Sequence, residues 1–285
     1  MSRTLPFVKM HGAGNDFLVL DGLRSELPPL EALARRLSDR HFGVGFDQLL
    51  VVRPSRAADF RMEIYNADGS QVEMCANGIR AFFKYLRDAG HTSAESVRVE
   101  TLGGVVVPRW AGQDRVRVEM GRPIFAPAKI PTRLGSGDGP VLDATLELDG
   151  ERLTLSSVSM GNPHAVLYVA DVDAAPVTSL GPRLEVHPAF PNRVNVEFVQ
   201  VLGRERLRQR TWERGTGETL ACGSGACAVA VVSMLRGVAE RAVTVELRGG
   251  ELRIEWPAAD GPVYMTGPAA EVFRGTLSVE DPGGA

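Results

Sequence analysis

Two stretches of the chain are rich in apolar residues. They are residues 79–87 and 226–235, and each follows a glycine-containing turn. As helices they would be apolar on most faces, which predicts that they are buried, so we expect a sheet to wrap each one. The longer stretch is too short to cross a bilayer, which takes about 20 residues.

Short segments bounded by Gly, Asn and Pro predict strands around both helices. Before the helices, the segments are residues 17–20 and 166–169. After them, alternating apolar and polar positions predict strands at 96–100, 105–110 and 116–120, and again at 242–247, 252–256 and 263–266. Each half therefore has strands, a glycine-rich turn, one apolar helix and further strands.

The two halves repeat each other at a constant distance. Cys75 corresponds to Cys222, 147 positions later, and the same shift aligns Gly14-Asn15 with Gly161-Asn162 and Gln48 with Asn195. It also aligns Tyr65-Asn66 with Trp212-Glu213. Such a shift, kept along most of both halves, indicates two pseudo-equivalent lobes.

The predicted fold class is α+β, with two pseudo-symmetric lobes, each a strongly curved sheet or barrel around a central helix. We expect an N-terminal lobe of residues 1–122 and a C-terminal lobe of residues 123–269. The boundary lies near residues 121–130, where prolines interrupt regular structure. The segment 270–285 is expected to pack on the first lobe.

Composition and charge exclude several classes of function. The chain has 285 residues, of which 44% are hydrophobic and 24% charged, as in a globular protein with a full core. A net charge of −3 gives no basic face for nucleic acid or membranes. The N-terminus has no signal-peptide core, and three cysteines make an odd count, so we expect a cytoplasmic protein with reduced thiols.

Both cysteines of the repeat stand where a turn enters a helix. Unpaired N–H groups there carry partial positive charge, which favours a thiolate and can bind a carboxylate. A single cysteine in this position is more often a core residue, but two equivalent cysteines fit inversion at carbon. One removes a proton from one face and the other delivers a proton to the opposite face. Cys227 is assigned to the core.

The sequence resembles the diaminopimelate epimerase family over essentially its whole length. The segments that carry the resemblance are 9–17 (KMHGAGNDF), 43–48 (GVGFDQ), 65–70 (YNADGS), 74–80 (MCANGIR), 161–164 (GNPH), 190–196 (FPNRVNV) and 213–226 (ERGTGETLACGSGA). The resemblance implies interconversion of LL- and meso-2,6-diaminoheptanedioate for lysine and cell-wall precursors, without pyridoxal phosphate or a metal. It also implies an active site in a cleft between the lobes.

The family pattern assigns roles to individual residues. Cys222 would accept the proton in the LL-to-meso direction, Cys75 would donate it, and His164 and Glu213 would tune the thiols. The implied substrate ligands are Asn15, Gln48, Asn66, Ala76, Asn77, Asn162, Asn195, Glu213, Arg214, Gly223 and Ser224. Amide groups and one fixed cation suit carboxylates, and Glu213 suits an ammonium group.

The repeat is broken at two titratable positions. Phe17 corresponds to His164 and Asn66 to Glu213, so the two thiols are expected to lie in different electrostatic fields. Ala76 departs from the glycine usual in the family. A positive φ there would cost about 1 kcal/mol, and we expect a compatible conformation.

Other functions remain open from the residues alone. Proline racemase and hydroxyproline epimerase share the cysteine pair but typically have histidine where this chain has Asn77. A phenazine-biosynthesis-type isomerase lacks the pair. A thiol hydrolase using His164 as base leaves the second cysteine unexplained. The partner is a small amino acid, not nucleic acid or membrane. A homodimer is expected, although the sequence leaves the oligomeric state open.

Overall fold

The computed structural model describes residues 2–280, which divide into two compact units. Unit 1 comprises the chain up to Val118 together with the chain from Gly267 onward, and unit 2 is Glu119–Thr266. None of the helices within the described residues is both long and apolar enough to span a membrane. Of the predicted segment 270–285, residues 281–285 lie outside the described part.

The elements follow in chain order. The first part of the chain forms β1 (Ser2–Gly12), β2 (Asn15–Asp21), α1 (Leu30–Leu37), β3 (Gln48–Arg53), β4 (Phe60–Asn66), α2 (Ala76–Asp88), β5 (Val99–Thr101), β6 (Gly104–Val106), β7 (Arg109–Trp110) and β8 (Arg115–Glu119). The remainder forms β9 (Val141–Leu148), β10 (Glu151–Ser159), β11 (Pro163–Tyr168), α3 (Val177–Glu185), β12 (Asn195–Gly203), β13 (Arg206–Glu213), β14 (Gly217–Thr219), α4 (Gly223–Leu235), β15 (Ala242–Leu247), β16 (Gly250–Glu255), β17 (Tyr264–Pro268) and β18 (Ala270–Glu280).

The sheets of the two units have the same internal order. In unit 1 the strands run β18-β1-β2-β3-β4-β5-β6, and in unit 2 they run β9-β10-β11-β12-β13-β15-β16-β17, with β14 added to β13. Strands β2 and β3 pair in parallel with Phe17 opposite Gln48, and β11 and β12 pair in parallel with His164 opposite Asn195. The first and last described strands of each sheet do not pair, so the sheets are open and the barrel alternative is wrong.

Each sheet is covered by its apolar helix on one face. Residues Asn77–Leu86 of α2 are all buried, as are those of α4 from Gly223 to Met234 apart from Ser224. The two-unit α+β prediction, with one buried helix to each sheet, is therefore confirmed.

The opposite face of each sheet packs against a helix that the sequence reading did not predict. Leu30, Leu33 and Leu37 of α1 join the core formed by β2 and β3. Val177 and Leu184 of α3 do the same in unit 2. Strand side chains alternate between the two faces, so one set contacts the outer helix and the other reaches the central helix and the site.

Two strand predictions differ from the structure. The predicted strand 105–110 is split into β6 and β7, with Pro108 between them; proline has no N–H to donate to a ladder. Of the predicted strand 96–100, only Val99 and Glu100 lie in β5. The remaining predicted helices and strands overlap observed ones.

Candidate active site

Cys75 is the N-cap of α2. Its backbone is extended (φ −135°, ψ 116°), and its Sγ accepts a hydrogen bond from the N–H of Gly78, at 3.3 Å. The thiol thus occupies the place usually taken by a capping oxygen, facing the backbone N–H groups of the first turn. Ala76 is the first residue of α2 and is not among the described non-glycine residues with positive φ, so alanine is unstrained there.

Two asparagines lie against Cys75. The Oδ1 atom of Asn15 is 3.8 Å from Cys75 Sγ and 3.4 Å from Asn77 Nδ2. On its other side Asn15 donates from Nδ2 to Asp47 Oδ2, at 2.7 Å. Because an ionised carboxylate only accepts hydrogen bonds, Asp47 fixes which end of the Asn15 amide faces the thiol. The group facing Cys75 is therefore an oxygen acceptor.

Gln48 and Asn66 form a second polar pair in unit 1. They are opposite each other on β3 and β4, and Gln48 Nε2 donates to Asn66 Oδ1, at 3.0 Å. Asn66 Nδ2 donates to Ser70 Oγ, at 3.1 Å. The Oε1 atom of Gln48 is buried and has no hydrogen-bond partner in the described structure. It is an acceptor suited to a ligand with N–H donors.

Cys222 repeats the geometry of Cys75 in unit 2. It caps α4 with an extended backbone (φ −113°, ψ 111°), and its Sγ accepts from the N–H of Gly225, at 3.3 Å. Ser224 Oγ lies 3.6 Å from the sulfur. Whereas Cys75 is half-buried, Cys222 is only 4% exposed. Cys227, further along α4, is fully buried, as expected for a core residue.

The polar residues predicted in unit 2 form two hydrogen-bonded groups. His164 Nε2 is 3.0 Å from Asn162 Oδ1. Asn195 Oδ1 accepts from the backbone N–H of Arg214, at 2.9 Å, and its Nδ2 donates to the carbonyl of Pro163, also at 2.9 Å. Both polar ends of the Asn195 amide thus bond the backbone, and one of them holds the loop that carries Arg214.

Glu213 and Arg214 lie at the end of β13. Thr219 Oγ1 donates to Glu213 Oε1, at 2.6 Å, and the exposed guanidinium of Arg214 donates to the carbonyl of Asn192, at 3.0 Å. Burial raises the pKa of Glu213 and the charge of Glu197 raises it further, while hydrogen bonds from Thr219 and Cys222 act in the opposite direction. The Glu213 carboxyl therefore holds a proton more readily than an exposed one.

The expectation that a helix N-terminus lowers the thiol pKa is wrong for Cys222. Burial raises the pKa of Cys222 well above its usual value, and the charges of Glu213 and Glu197 raise it further. Ser224 and the Gly225 N–H act in the opposite direction, but more weakly. Desolvation of a thiolate beside two carboxylates outweighs the helix terminus.

Sequence reasoning missed the residues that hold the predicted ligands in place. Asp47 orients Asn15, and the fully buried Arg80 donates from Nη2 to Asn77 Oδ1, at 2.8 Å. Asp47 lies in segment 43–48 and Arg80 in segment 74–80, and both segments carry the family resemblance. Their place in these segments is the one sequence feature that could have pointed to them. Their supporting role depends on contacts between distant segments, which spacing alone does not reveal.

The comparisons with known proteins decide the family. The model for diaminopimelate epimerase matches residues 7–126 and 156–272. A diaminopimelate epimerase of Moorella thermoacetica is 52% identical over 279 residues, covering 96% of this chain and 99% of the relative. One of Nitrosomonas europaea is 49% identical over 276 residues, covering 96% and 99%. The chain belongs to the diaminopimelate epimerase family.

Solved structures outside the diaminopimelate epimerase family share the fold. A Bacillus anthracis phenazine biosynthesis protein of the PhzF family aligns with a TM-score of 0.71 at 15% identity, covering 97% of this chain and 100% of that one. A hydroxyproline epimerase of Agrobacterium vitis aligns with a TM-score of 0.68 at 16% identity, covering 98% and 94%. At such identities the likeness concerns the fold alone.

Proposed function

We propose that this protein interconverts LL- and meso-2,6-diaminoheptanedioate by a two-base mechanism, as an isomerase of lysine and cell-wall precursor biosynthesis. Membership of the diaminopimelate epimerase family supports the substrate. The observation that carries the mechanism is the pair of thiols, Cys75 and Cys222, at equivalent helix N-caps of two similar units. Inversion at carbon needs two groups alike in kind and opposite in protonation, and two thiols supply them.

In the proposed reaction the Cys222 thiolate removes the α-proton of the LL isomer, breaking the C–H bond and forming S–H. The thiol of Cys75 delivers its own proton to the opposite face of the carbon, which leaves Cys75 as the thiolate. Backbone N–H groups in the first turns of α2 and α4 bind the substrate carboxylate and stabilise the charge that develops on it. The acceptor Asn15 Oδ1, 3.8 Å from Cys75 Sγ, suits a Cys75 that begins protonated.

The remaining site residues are proposed to bind the two charged ends of the substrate. Arg214 is a cation for a carboxylate, and Glu213 is an acceptor for an ammonium group. The buried acceptor Gln48 Oε1 is also suited to ammonium donors. Further proposed ligands are Asn66, Ala76, Asn77, Asn162, Asn195, Gly223 and Ser224. His164 and Glu213 are proposed to modulate the thiols.

We also propose that the protein acts in the cytoplasm as a homodimer without a cofactor. Analytical ultracentrifugation tests the dimer. Full activity in the presence of a metal chelator and of hydroxylamine, which captures pyridoxal phosphate, tests cofactor independence. Loss of activity with either reagent would contradict it.

The decisive experiment follows the proton in heavy water. Two bases predict that newly formed meso product carries deuterium at the inverted carbon, while unreacted LL substrate stays largely unlabelled early in the reaction. A single base acting on both faces predicts product that retains its original hydrogen. Proton NMR of both isomers at low conversion distinguishes these outcomes, and retention would overturn the two-base mechanism. L-Proline serves as the competing substrate, and turnover of proline alone would overturn the substrate assignment.

A further inference from the structure

Beneath the first turn of α4 lies a cluster of four buried polar side chains: His164, Glu197, Gln209 and Thr211. Each is at most 2% exposed. Glu197 is at the centre, with Oε1 2.8 Å from His164 Nδ1. Its Oε2 accepts from Gln209 Nε2, at 2.7 Å, and from Thr211 Oγ1, at 2.5 Å. Both oxygens of the Glu197 carboxylate therefore have hydrogen-bond partners inside the core.

The Glu197 carboxylate touches the turn that bears the thiol. A Cβ atom added at Gly225 would lie 2.6 Å from Glu197 Oε1, so only glycine fits there without a shift. The same Gly225 donates its N–H to Cys222 Sγ. One residue of α4 therefore separates the buried carboxylate from the catalytic sulfur proposed above.

Unit 1 has an apolar cluster at the corresponding place. The positions 147 residues earlier are Phe17, Leu50, Met62 and Ile64, and all are at most 2% exposed. The strand registers match, since Leu50 is opposite Ile64 on β3 and β4, as Glu197 is opposite Thr211 on β12 and β13.

The helix contact is conserved between the units as well. A Cβ atom added at Gly78 would lie 3.2 Å from Leu50 Cδ2 and 3.4 Å from Cys75 Sγ. Leu50 thus occupies under Cys75 the position that Glu197 occupies under Cys222. The two thiols lie on similar backbones, but only Cys222 has a buried carboxylate beneath it.

We propose that Glu197 is a positioning residue that holds the His164 ring through Nδ1 and places a carboxylate under Cys222, making the Cys222 thiolate the stronger base of the pair. The role of Glu197 in catalysis rests on the proposed function, whereas its effect on the pKa of the Cys222 thiol does not. The other titratable groups facing this region are Glu213 on β13 and His164 on β11, and α4 itself has no charged residue.

The difference in charge between Glu197 and Leu50 should make the pKa of Cys222 higher than that of Cys75. A fixed anion destabilises a nearby thiolate and so raises the thiol pKa, and a thiolate of higher pKa binds a carbon-derived proton more strongly. Glu197 is one of the groups that raise the pKa of Cys222. Under Cys75, the apolar Leu50 contributes no charge.

The test is the variant Glu197→Gln, studied by NMR of protein labelled with 13C at the cysteine Cβ atoms. We expect Cys222 to titrate about one pH unit lower than in the wild type, while Cys75 in the same molecule does not move. We also expect the nitrogen shifts of the His164 ring to change as the fixed acceptor is lost. Glu185→Gln is the matched control. It removes a carboxylate of the same unit that is 6% exposed and accepts from Trp212 Nε1 and Gly215 N, and it should leave the Cys222 titration unchanged.

A second variant keeps the test informative if Glu197→Gln does not fold. H164F/E197L/Q209M/T211I gives unit 2 the apolar set that unit 1 already packs on matching strands, and it should also lower the Cys222 titration. An unmoved Cys222, an upward shift, or an equal shift of Cys75 would overturn the inference. These titrations need no substrate. If the wild-type protein failed to epimerise LL-diaminoheptanedioate while Cys222 shifted as expected, only the proposed function would fail.

Discussion

Asn15 and Asp47 are joined by a 2.7 Å hydrogen bond that turns the Asn15 oxygen toward the Cys75 thiol. An asparagine without this bond can present either end of its amide, because the oxygen and the NH2 group have nearly the same shape. An acceptor favours the S–H form of Cys75, whereas a donor would favour the thiolate. The orientation of one amide thus affects which proton is available for delivery.

Asp47→Ala is therefore expected to lower kcat/KM in the LL-to-meso direction by about 10- to 100-fold, because the acceptor on Cys75 is no longer fixed. Steady-state kinetics with both isomers measures the change. Asp59→Ala is the control, since Asp59 is also an exposed carboxylate and accepts the backbone N–H of Arg98, at 2.7 Å, away from the site. Equal kinetics of the two variants would show that Asp47 has no such role.

Replacing each cysteine separates the proposed catalytic thiols from the structural one. Cys75→Ala and Cys222→Ala should each abolish epimerisation while unfolding remains cooperative. Cys227→Ala should keep its activity and lose about 1 kcal/mol of stability, because Cys227 is a small, fully buried side chain in α4. Assays and urea denaturation of the three variants measure this. Near-normal turnover without Cys75 or without Cys222 would contradict the mechanism.

The pH dependence should follow the thiol that acts as base. Since burial and the charges of Glu213 and Glu197 raise the pKa of Cys222, its thiolate fraction increases only as pH rises into the alkaline range. We expect kcat/KM for the LL isomer to increase from neutral pH upward. Glu213→Gln should reduce the rate. It should also shift this increase, the alkaline limb of the pH profile, to lower pH, because one of the two carboxylate charges that destabilise the Cys222 thiolate is removed.

Glu218→Gln is the control for the pH profile. Glu218 is paired with Arg210 and Arg248 and is not among the main groups that act on Cys222. It should leave the alkaline limb in place. A limb that stays fixed in Glu213→Gln would show that Glu213 does not act on the thiol.

Asp16 should contribute to stability in a defined pH window. It accepts two hydrogen bonds from Arg40, at 2.8 and 2.9 Å, and one from Lys9. Burial alone would raise the pKa of Asp16, but the bonds and charges of Arg40 and Lys9 outweigh it and lower this pKa to about 2. The folded-state pKa lies below the unfolded value, so the stabilisation is present above about pH 4 and is lost as pH falls toward 2.

Asp16→Asn should therefore cost about 2 kcal/mol at pH 7, and the difference from wild type should narrow between pH 4 and pH 2. Chemical denaturation followed by circular dichroism at several pH values measures both effects. A difference that does not depend on pH would mean that packing, and not charge, accounts for the loss.

The sequence was informative where the pattern is local or repeated. The apolar helices α2 and α4 and the equivalent positions of Cys75 and Cys222 could be predicted, because burial on all faces and a constant shift are visible along the chain. Helix α1 was missed although its buried residues Leu30, Leu33 and Leu37 have helical spacing, since eight residues give a weak signal. Helix α3 contains Pro182, which disfavours a helix interior.

The electrostatics of the site could not be predicted from the sequence in the same way. The raised pKa of Cys222 depends on its burial and on Glu197, which is 25 positions earlier and reaches the sulfur's turn only through sheet pairing. The alternation of β12 placed Glu197 on the helix-facing side, but a single acidic residue in an apolar strand gives no indication of its partners. Asp47 was overlooked because its bond to Asn15 joins positions 32 residues apart in the chain.

The matching strands of the two units also constrain how one cluster can be converted into the other by single substitutions. A glutamate introduced at position 50 would face Phe17, Met62 and Ile64, none of which can donate a side-chain hydrogen bond, and an unpaired buried carboxylate is strongly destabilising. Threonine in place of Ile64, by contrast, exchanges an ethyl group for an uncharged hydroxyl, which costs less to bury than an unpaired charge. In unit 1, therefore, hydrogen-bond donors would have to be introduced at positions 62 and 64 before a glutamate at position 50. In unit 2, Glu197 would have to be replaced before its donors Gln209 and Thr211. Hydrogen bonding thus restricts the order in which single substitutions can convert one cluster into the other while the core stays stable.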